Sequence, residues 1–157
     1  LTVQENGILA GVDSGDTLFS LDTQNETLID TKEINSLQDV SSDGTYLFEA
    51  YNDVKAWKIP FNTGETWELM GSADIKQDID SPPAVDDSGD DTWIYTGTFQ
   101  DFNGKFFLNG YKFDEDSETL TQEWEKERGL VTEVYVHGDT VLASGDGVSG
   151  HDPETGE

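Results

Sequence analysis

Leu47-Phe-Glu-Ala50 followed by Val54-Lys-Ala-Trp57 is the stretch that decides the fold, because the pair recurs along the chain. The first half returns as Ile8-Leu-Ala-Gly11, Ile94-Tyr-Thr-Gly97 and Val141-Leu-Ala-Ser144. Each copy opens on two large apolar residues and closes on a small one. The second half returns as Leu18-Phe-Ser-Leu21, Leu108-Asn-Gly-Tyr111 and Val148-Ser-Gly-His151. Its first place is aliphatic, its third small and its fourth mostly large. Side chains alternate faces along a strand, so the aliphatic and small places share one face and the large place takes the other. Clusters of Asp, Gly, Ser and Asn punctuate these runs, as in Asp13-Ser-Gly-Asp16, which reads as strand, turn, strand.

A period of about 40 residues with four short strands per unit is the pattern of propeller blades. The expected fold is therefore all-β: blades of four antiparallel strands, about four of them with the last incomplete, forming part of a seven- or eight-bladed ring. Residues 1–34, 35–79, 80–128 and 129–157 are the expected units of one partial propeller domain. The wide middle interval is expected to hold a longer linker, Ala73 to Ser81, and an expanded hairpin loop, Phe99 to Lys105. Weak innermost strands are expected at Leu1-Thr-Val3, around Gln38-Asp-Val40, at Pro83-Ala-Val85 and from Val131 to Val136. Outer strands are expected at Thr27-Leu-Ile29, Thr66 to Leu69 and Leu120 to Trp124. A helix competes for Asp114 to Arg128, which is rich in Glu and ends before Gly129. Strand is favoured, because Trp124 then takes the place of Trp67 in the repeat.

At 157 residues the chain is one domain by length. It carries 34 Asp and Glu against 8 Lys and Arg, a formal charge of −26. That balance argues against nucleic acid and anionic membrane surfaces as partners, since few cations are present to neutralise phosphates. No apolar run approaches the length of a membrane span, and the absence of cysteine excludes disulfides and thiolate chemistry. Apolar residues make up 34%, low enough to raise the question of disorder, yet the 17 aromatics argue for a packed core. Self-repulsion at this charge weakens a compact state in dilute buffer, whereas at ~1 M salt the Debye length falls to ~3 Å. The excess of Asp over Glu and the single arginine, Arg128, suit a protein adapted to concentrated salt.

The segment Val54-Lys-Ala-Trp-Lys-Ile-Pro-Phe-Asn-Thr-Gly-Glu-Thr-Trp67 resembles the quinoprotein-type, or PQQ-like, propeller repeat. That family runs from a strand through an Asp-x-x-Thr-Gly turn to a tryptophan. Ser149-Gly-His-Asp-Pro-Glu-Thr-Gly-Glu157 repeats the turn clearly, and 18–27 and 108–119 repeat it loosely. Asp22 and Asp152 match the turn aspartate, whereas Lys58 and Lys112 replace it. The resemblance implies that Trp67 wedges between neighbouring blades; Trp57 and Trp124 are further docking candidates from their places in the repeat. It also implies a non-catalytic binding or scaffolding module, extracytoplasmic or at the cell surface, with a protein or polymer ligand. A high-salt cytoplasm is the alternative location. The remaining blades are expected in the same chain or in a second copy.

Two other functions stay open. One is a fragment of a PQQ- and calcium-dependent alcohol or aldose dehydrogenase, for which no cofactor-binding or catalytic residue can be numbered. The other is a cation-dependent surface adhesion module. Asp86, Asp87, Asp90 and Asp91 are the metal candidates, because hard cations take oxygen ligands. The competing reading is a solvated turn, for which Asp, Ser and Gly are the usual residues. His151 falls in the large column and is expected to pack, and no Gly-x-Ser-x-Gly elbow occurs. Asn25-Glu-Thr27 is a glycosylation sequon on an expected turn. Thermal unfolding followed by tryptophan fluorescence is expected to move to higher temperature between dilute buffer and about 1 M KCl. Equal midpoints would remove the concentrated-salt reading.

Overall fold

Alternation of apolar and small residues builds strands whose two faces are both fit for burial, and the strands pair into four antiparallel sheets. The computed structural model describes residues 2–3, 7–34, 40–75, 78–79, 81–100 and 104–157. Sheet I holds β1 (Thr2–Val3), β2 (Ile8–Val12), β3 (Thr17–Asp22) and β4 (Thr27–Glu33), in that spatial order. Sheet II holds β5 (Val40–Ser42), β6 (Tyr46–Ala50), β7 (Asp53–Lys58) and β8 (Glu68–Asp74). In sheet III, β10 (Ala84–Asp86), β11 (Thr92–Gln100), β12 (Lys105–Asp114) and β13 (Thr119–Arg128) follow one another. The short β9 (Asp78–Ile79) pairs with the far end of β11. Sheet IV holds β14 (Val131–Val136), β15 (Val141–Gly145) and β16 (Val148–His151). No described residue is helical, so Asp114 to Arg128 runs from the last residue of β12 through a turn into the strand β13.

The sheets stack face to face in chain order through three apolar seams. Ile8, Ala10 and Leu18 of sheet I meet Leu47, Trp57, Ile59 and Trp67 of the second unit. Phe48, Ala50, Val54 and Ala56, on the opposite face of sheet II, meet Ile94, Tyr111, Phe113 and Leu120 of sheet III. Tyr95, Leu108 and Trp124 then meet Val131, Val134, Val141 and Ala143 of sheet IV. Each sheet thus has a leading face toward the next sheet and a trailing face toward the one before. The aliphatic and small places of the repeat lie on leading faces in sheets I to III, and the large place, Trp57, Tyr111 and His151, lies on trailing faces. This is the radial stacking of a β-propeller.

Register supplies a second periodicity that residue type does not show. The third strand meets the fourth through a shift at Ser20/Leu21, at Ala56/Trp57 and at Gly110/Tyr111, the same place in three sheets. The extra residue of each bulge sits on the outer strand, at Ile29, Met70 and Glu123. Bulges add local twist, which suits sheets that fan around an axis.

Register also corrects three expectations. Ala50, Gly97 and Ser144 pair with Val54, Leu108 and Val148, but in sheet I it is Val12 that pairs with Leu18. The first unit is therefore one residue out of step with the small column, because its hairpin is longer. Trp124 does not take the place of Trp67. It pairs with Gly110 as Gly71 pairs with Ala56, and it faces forward, whereas Trp67 belongs to the trailing seam. The turn before Trp67 is longer than that before Thr119, so matching the two tryptophans misaligned the strands between them. The expected loop at Phe99 to Lys105 is narrower at its ends, since β11 reaches Gln100 and β12 begins at Lys105, and residues 101–103 lie outside the described residues. Outer strands run longer than expected, and the innermost ones are as short as the sequence suggested. Leu1, Gln38 and Asp39 lie outside the described residues.

Two glycines are fixed by the seams. A Cβ on Gly110 would stand 2.3 Å from the Trp124 ring, and one on Gly97 would stand 2.5 Å from Val131. Gly110→Ala is therefore expected to cost about 1–3 kcal/mol in urea unfolding and to change the Trp124 environment seen in fluorescence. Gly147→Ala, where a Cβ meets nothing within 4 Å, is expected to be silent in both measurements.

Candidate functional site

Several of the acidic side chains found at turns are occupied by the backbone of their own turn. Asp22 Oδ1 accepts from the Gln24 and Asn25 amides, Asp114 Oδ1 from Asp116 and Ser117, and Asp152 Oδ1 from Glu154 and Thr155. Asp114 thus performs in the third unit the task that Lys112 had vacated, two residues later, because the β12–β13 hairpin is two pairs longer than β3–β4. These bonds hold all three carboxyls below the usual carboxylate range: the Asn25 side chain contributes most at Asp22, the Ser117 amide at Asp114 and the Thr155 amide at Asp152. Asp13 and Asp43 close their turns in the same way. The Asp43 carboxyl is nonetheless pushed up, by burial above all, with Asp87 adding a like charge across the seam.

One cleft gathers carboxylates beyond this need. It lies between sheets III and IV, with a volume of about 300 Å³. Asp86 ends β10, Asp90 and Asp91 come from the β10–β11 turn, Asp139 from the β14–β15 turn, and Pro153 and Glu154 from the turn after β16. Trp93 forms its aromatic wall. Trp93 stacks on Tyr95 two residues on, with centroids 6.2 Å apart and planes 4° from parallel, and Tyr95 in turn meets Trp124 at 6.0 Å. Alternation along β11 sets both rings on the leading face. Tyr95 is fully buried and its hydroxyl has no hydrogen-bond partner. Burial raises its pKa far above the ordinary phenol range, and the charges of Asp86, Asp152 and Glu154 push in the same direction. The phenol therefore stays neutral, buried behind Trp93 and not itself among the residues that line the cleft. Lys112 pairs with Asp91 at 2.6 Å, a bond that raises the lysine's own pKa.

Of the four metal candidates, the structure brings Asp86, Asp90 and Asp91 to this cleft. Asp87 is not among its lining residues and lies within electrostatic reach of Asp43 instead. Asp86 also accepts from the Ser88 amide at 3.0 Å. Among the described residues no group of three or more His, Cys, Asp or Glu is arranged to hold a metal ion. Arg128, the chain's one arginine, lies outside this cleft, beside His151. The signal for this cleft was legible only in part. The acids stood out in sequence, but the alternation of Trp93 and Tyr95 behind them did not.

The tryptophans are placed as follows. Trp57 is buried and its indole N–H donates to the buried Glu49 at 2.8 Å, while Lys55 stands 3.7 Å from the other Glu49 oxygen. The Trp67 amide donates to Asp30 of sheet I at 3.1 Å. The Trp124 indole N–H donates to the Pro153 carbonyl at 2.9 Å, tying sheet III to the turn that follows β16.

His151 sits at the same seam. Its Nδ1 is 3.1 Å from Arg128 and its Nε2 is 2.7 Å from the Ser149 hydroxyl. Nδ1 also lies 3.2 Å from the Gly156 carbonyl, which accepts from Arg128 as well. Burial first, and the Arg128 charge second, lower the His151 pKa. A histidine with a depressed folded pKa contributes stability that is complete above its unfolded value near 6.5 and is lost as pH falls through the lower folded value. The wild-type midpoint is therefore expected to drop between pH 8 and pH 5 by more than that of His151→Gln, in urea unfolding at fixed salt. An identical pH profile for the two proteins would remove this linkage.

No family model matches the chain, and a search of curated proteins finds no match. Solved structures do match. Quinohemoprotein alcohol dehydrogenase from Comamonas testosteroni superposes with a TM-score of 0.71 at 12% identity, over 97% of this chain and 32% of that one. The Cps50 (Swd1) beta-propeller domain of Myceliophthora thermophila gives 0.66 at 12%, over 93% and 50%. The computationally designed Ika4 protein gives 0.63 at 15%, over 96% and 88%. The chain thus spans a third to a half of the two natural proteins. Identities this low bear on fold alone, and the fold they share with this chain is the β-propeller.

Proposed function

We propose that the chain is a non-catalytic binding scaffold of the propeller kind, which holds a cationic group of a protein partner in the cleft between sheets III and IV. The observation that carries this reading is the cleft itself: carboxylates from three turns beside Trp93, with the neutral, unpartnered Tyr95 hydroxyl behind them. An ammonium or guanidinium group there gains Coulomb attraction and a cation–π contact with an indole. Rigid sheets supporting variable turns are the usual means by which such a fold presents a binding surface. The loop acids and the resemblance of 54–67 and 149–157 to quinoprotein-type repeats support a non-catalytic relative of that family. An extracytoplasmic setting rich in salt, and a place within a seven- or eight-bladed ring, complete the reading.

Tryptophan fluorescence titration with a lysine-rich peptide, at the lowest salt that keeps the protein folded, tests it. Saturable binding is expected, weakened roughly tenfold by each of Asp86→Asn and Glu154→Gln, as for one charged hydrogen bond. A glutamate-rich peptide that binds equally well, or lysine-peptide binding unmoved by both substitutions, would overturn it.

A further inference from the structure

Lys112 stands directly across from Trp93 in the β11–β12 pairing, so the two side chains share the leading face of sheet III. Trp93 is the aromatic wall of the acidic cleft. From that place the lysine ammonium reaches the carboxyl of Asp91 at 2.6 Å, and Asp91 is one of the residues lining the cleft. Lys112 is thus a cation tethered at the rim of a cavity that Asp86, Asp90, Asp139 and Glu154 also line. The arrangement is particular to this unit. Its place in the repeat holds Asp22 in sheet I and Asp152 in sheet IV, each engaged in its own turn. In sheet II the matching row is Tyr46 opposite Lys58, and Gly44 stands two residues before Tyr46, as Asp91 stands before Trp93. Both members of the Lys112–Asp91 pair are part exposed, 34% and 42%, so a ligand can reach the bond and exchange it. Asp91 first, and the charges of Glu123 and Asp114 after it, hold the ammonium's pKa above the ordinary lysine value. Neither Glu123 nor Asp114 lines the cleft, so a displaced Lys112 has carboxylates to turn to.

We infer that Lys112 is a built-in competitor for the cleft, which a partner's cation must displace from Asp91, and that this displacement selects guanidinium over ammonium. The inference deepens the proposed function and rests on that reading. An incoming ammonium replaces at Asp91 a bond of its own kind, so it gains only from the other carboxylates and the indole. An incoming guanidinium replaces a single donor by a planar fork that bonds both oxygens of a carboxylate, and it stacks well on an aromatic face. The ligand that the cleft takes best is therefore an arginine side chain of a protein partner. Lys112 weakens the binding of every cationic ligand and weakens that of lysine most.

Tryptophan fluorescence titration with an arginine-rich and a lysine-rich peptide, matched in length and charge and measured at one salt concentration, tests the inference. The wild-type chain is expected to bind the arginine peptide roughly tenfold more tightly. Lys112→Met keeps the stem and removes the ammonium. It is expected to tighten lysine-peptide binding about fivefold and to shrink the arginine preference to about twofold. In an Asp91→Asn background the same substitution is expected to change neither affinity, because the contested carboxylate is gone. Lys105→Met removes an equal charge at the far end of the β11–β12 hairpin and is expected to leave both affinities unmoved. Should Lys112→Met not fold, Lys112→Gln serves in its place. Equal lysine-peptide binding by wild type and Lys112→Met would overturn the inference. So would an arginine preference that survives Lys112→Met in full, or a tightening that persists with Asp91→Asn or appears equally with Lys105→Met. If Asp86→Asn and Glu154→Gln leave the binding of both peptides unchanged, or neither peptide binds, the proposed function falls and this inference with it. If those two substitutions weaken binding while Lys112→Met does nothing, this inference alone falls.

Discussion

Each sheet in this protein is apolar on both faces, and that constraint governs the rest. A sheet with one apolar face can rest on a core and show its other side to water. These sheets need two neighbours, so they stack in a series whose seams alternate leading and trailing faces. The seams are tight enough to dictate glycine at Gly97 and Gly110, where Val131 and the Trp124 ring come within ordinary contact distance of the backbone. Strands that would be weak alone, such as β5 and β10, are held because the sheets beside them are packed. The surplus of charge is relegated to turns and outer strands, where water and counter-ions reach it.

The turn acids show how charge is made compatible with folding. Asp22, Asp114 and Asp152 each satisfy two backbone amides at the exit of a third strand, an arrangement that lowers their pKa values and keeps them charged. Their spacing along the chain looks like a series of cation sites, yet each is spent on local geometry. The cleft between sheets III and IV differs because its carboxylates arrive from three separate turns and face an aromatic wall. Convergence from distant parts of the chain, and not local acid density, distinguishes a binding place from a capped turn.

His151 illustrates a related point. In sequence it is one member of the large column, grouped with Trp57 and Tyr111. In the structure it packs as they do, on a trailing face, while its ring nitrogens meet Arg128 and Ser149. The packing role follows from the strand period. The hydrogen bonds depend on Arg128, 23 residues earlier at the end of β13, which no local pattern connects to it.

The sequence by itself determined the class of fold, the strand pairs and which side chains share a face, because a period of two and turn residues act over neighbouring positions. It determined the identity of leading and trailing residues in sheets II to IV for the same reason. Only the tertiary structure decided the one-residue offset of sheet I, the inequivalence of Trp67 and Trp124, and the takeover of the Lys112 role by Asp114. Those depend on hairpin lengths and on bulges, which shift pairing without changing composition. The cleft likewise needed coordinates: Asp90, Asp139 and Glu154 lie in three different turns, and what brings them together is the stacking of one sheet on the next.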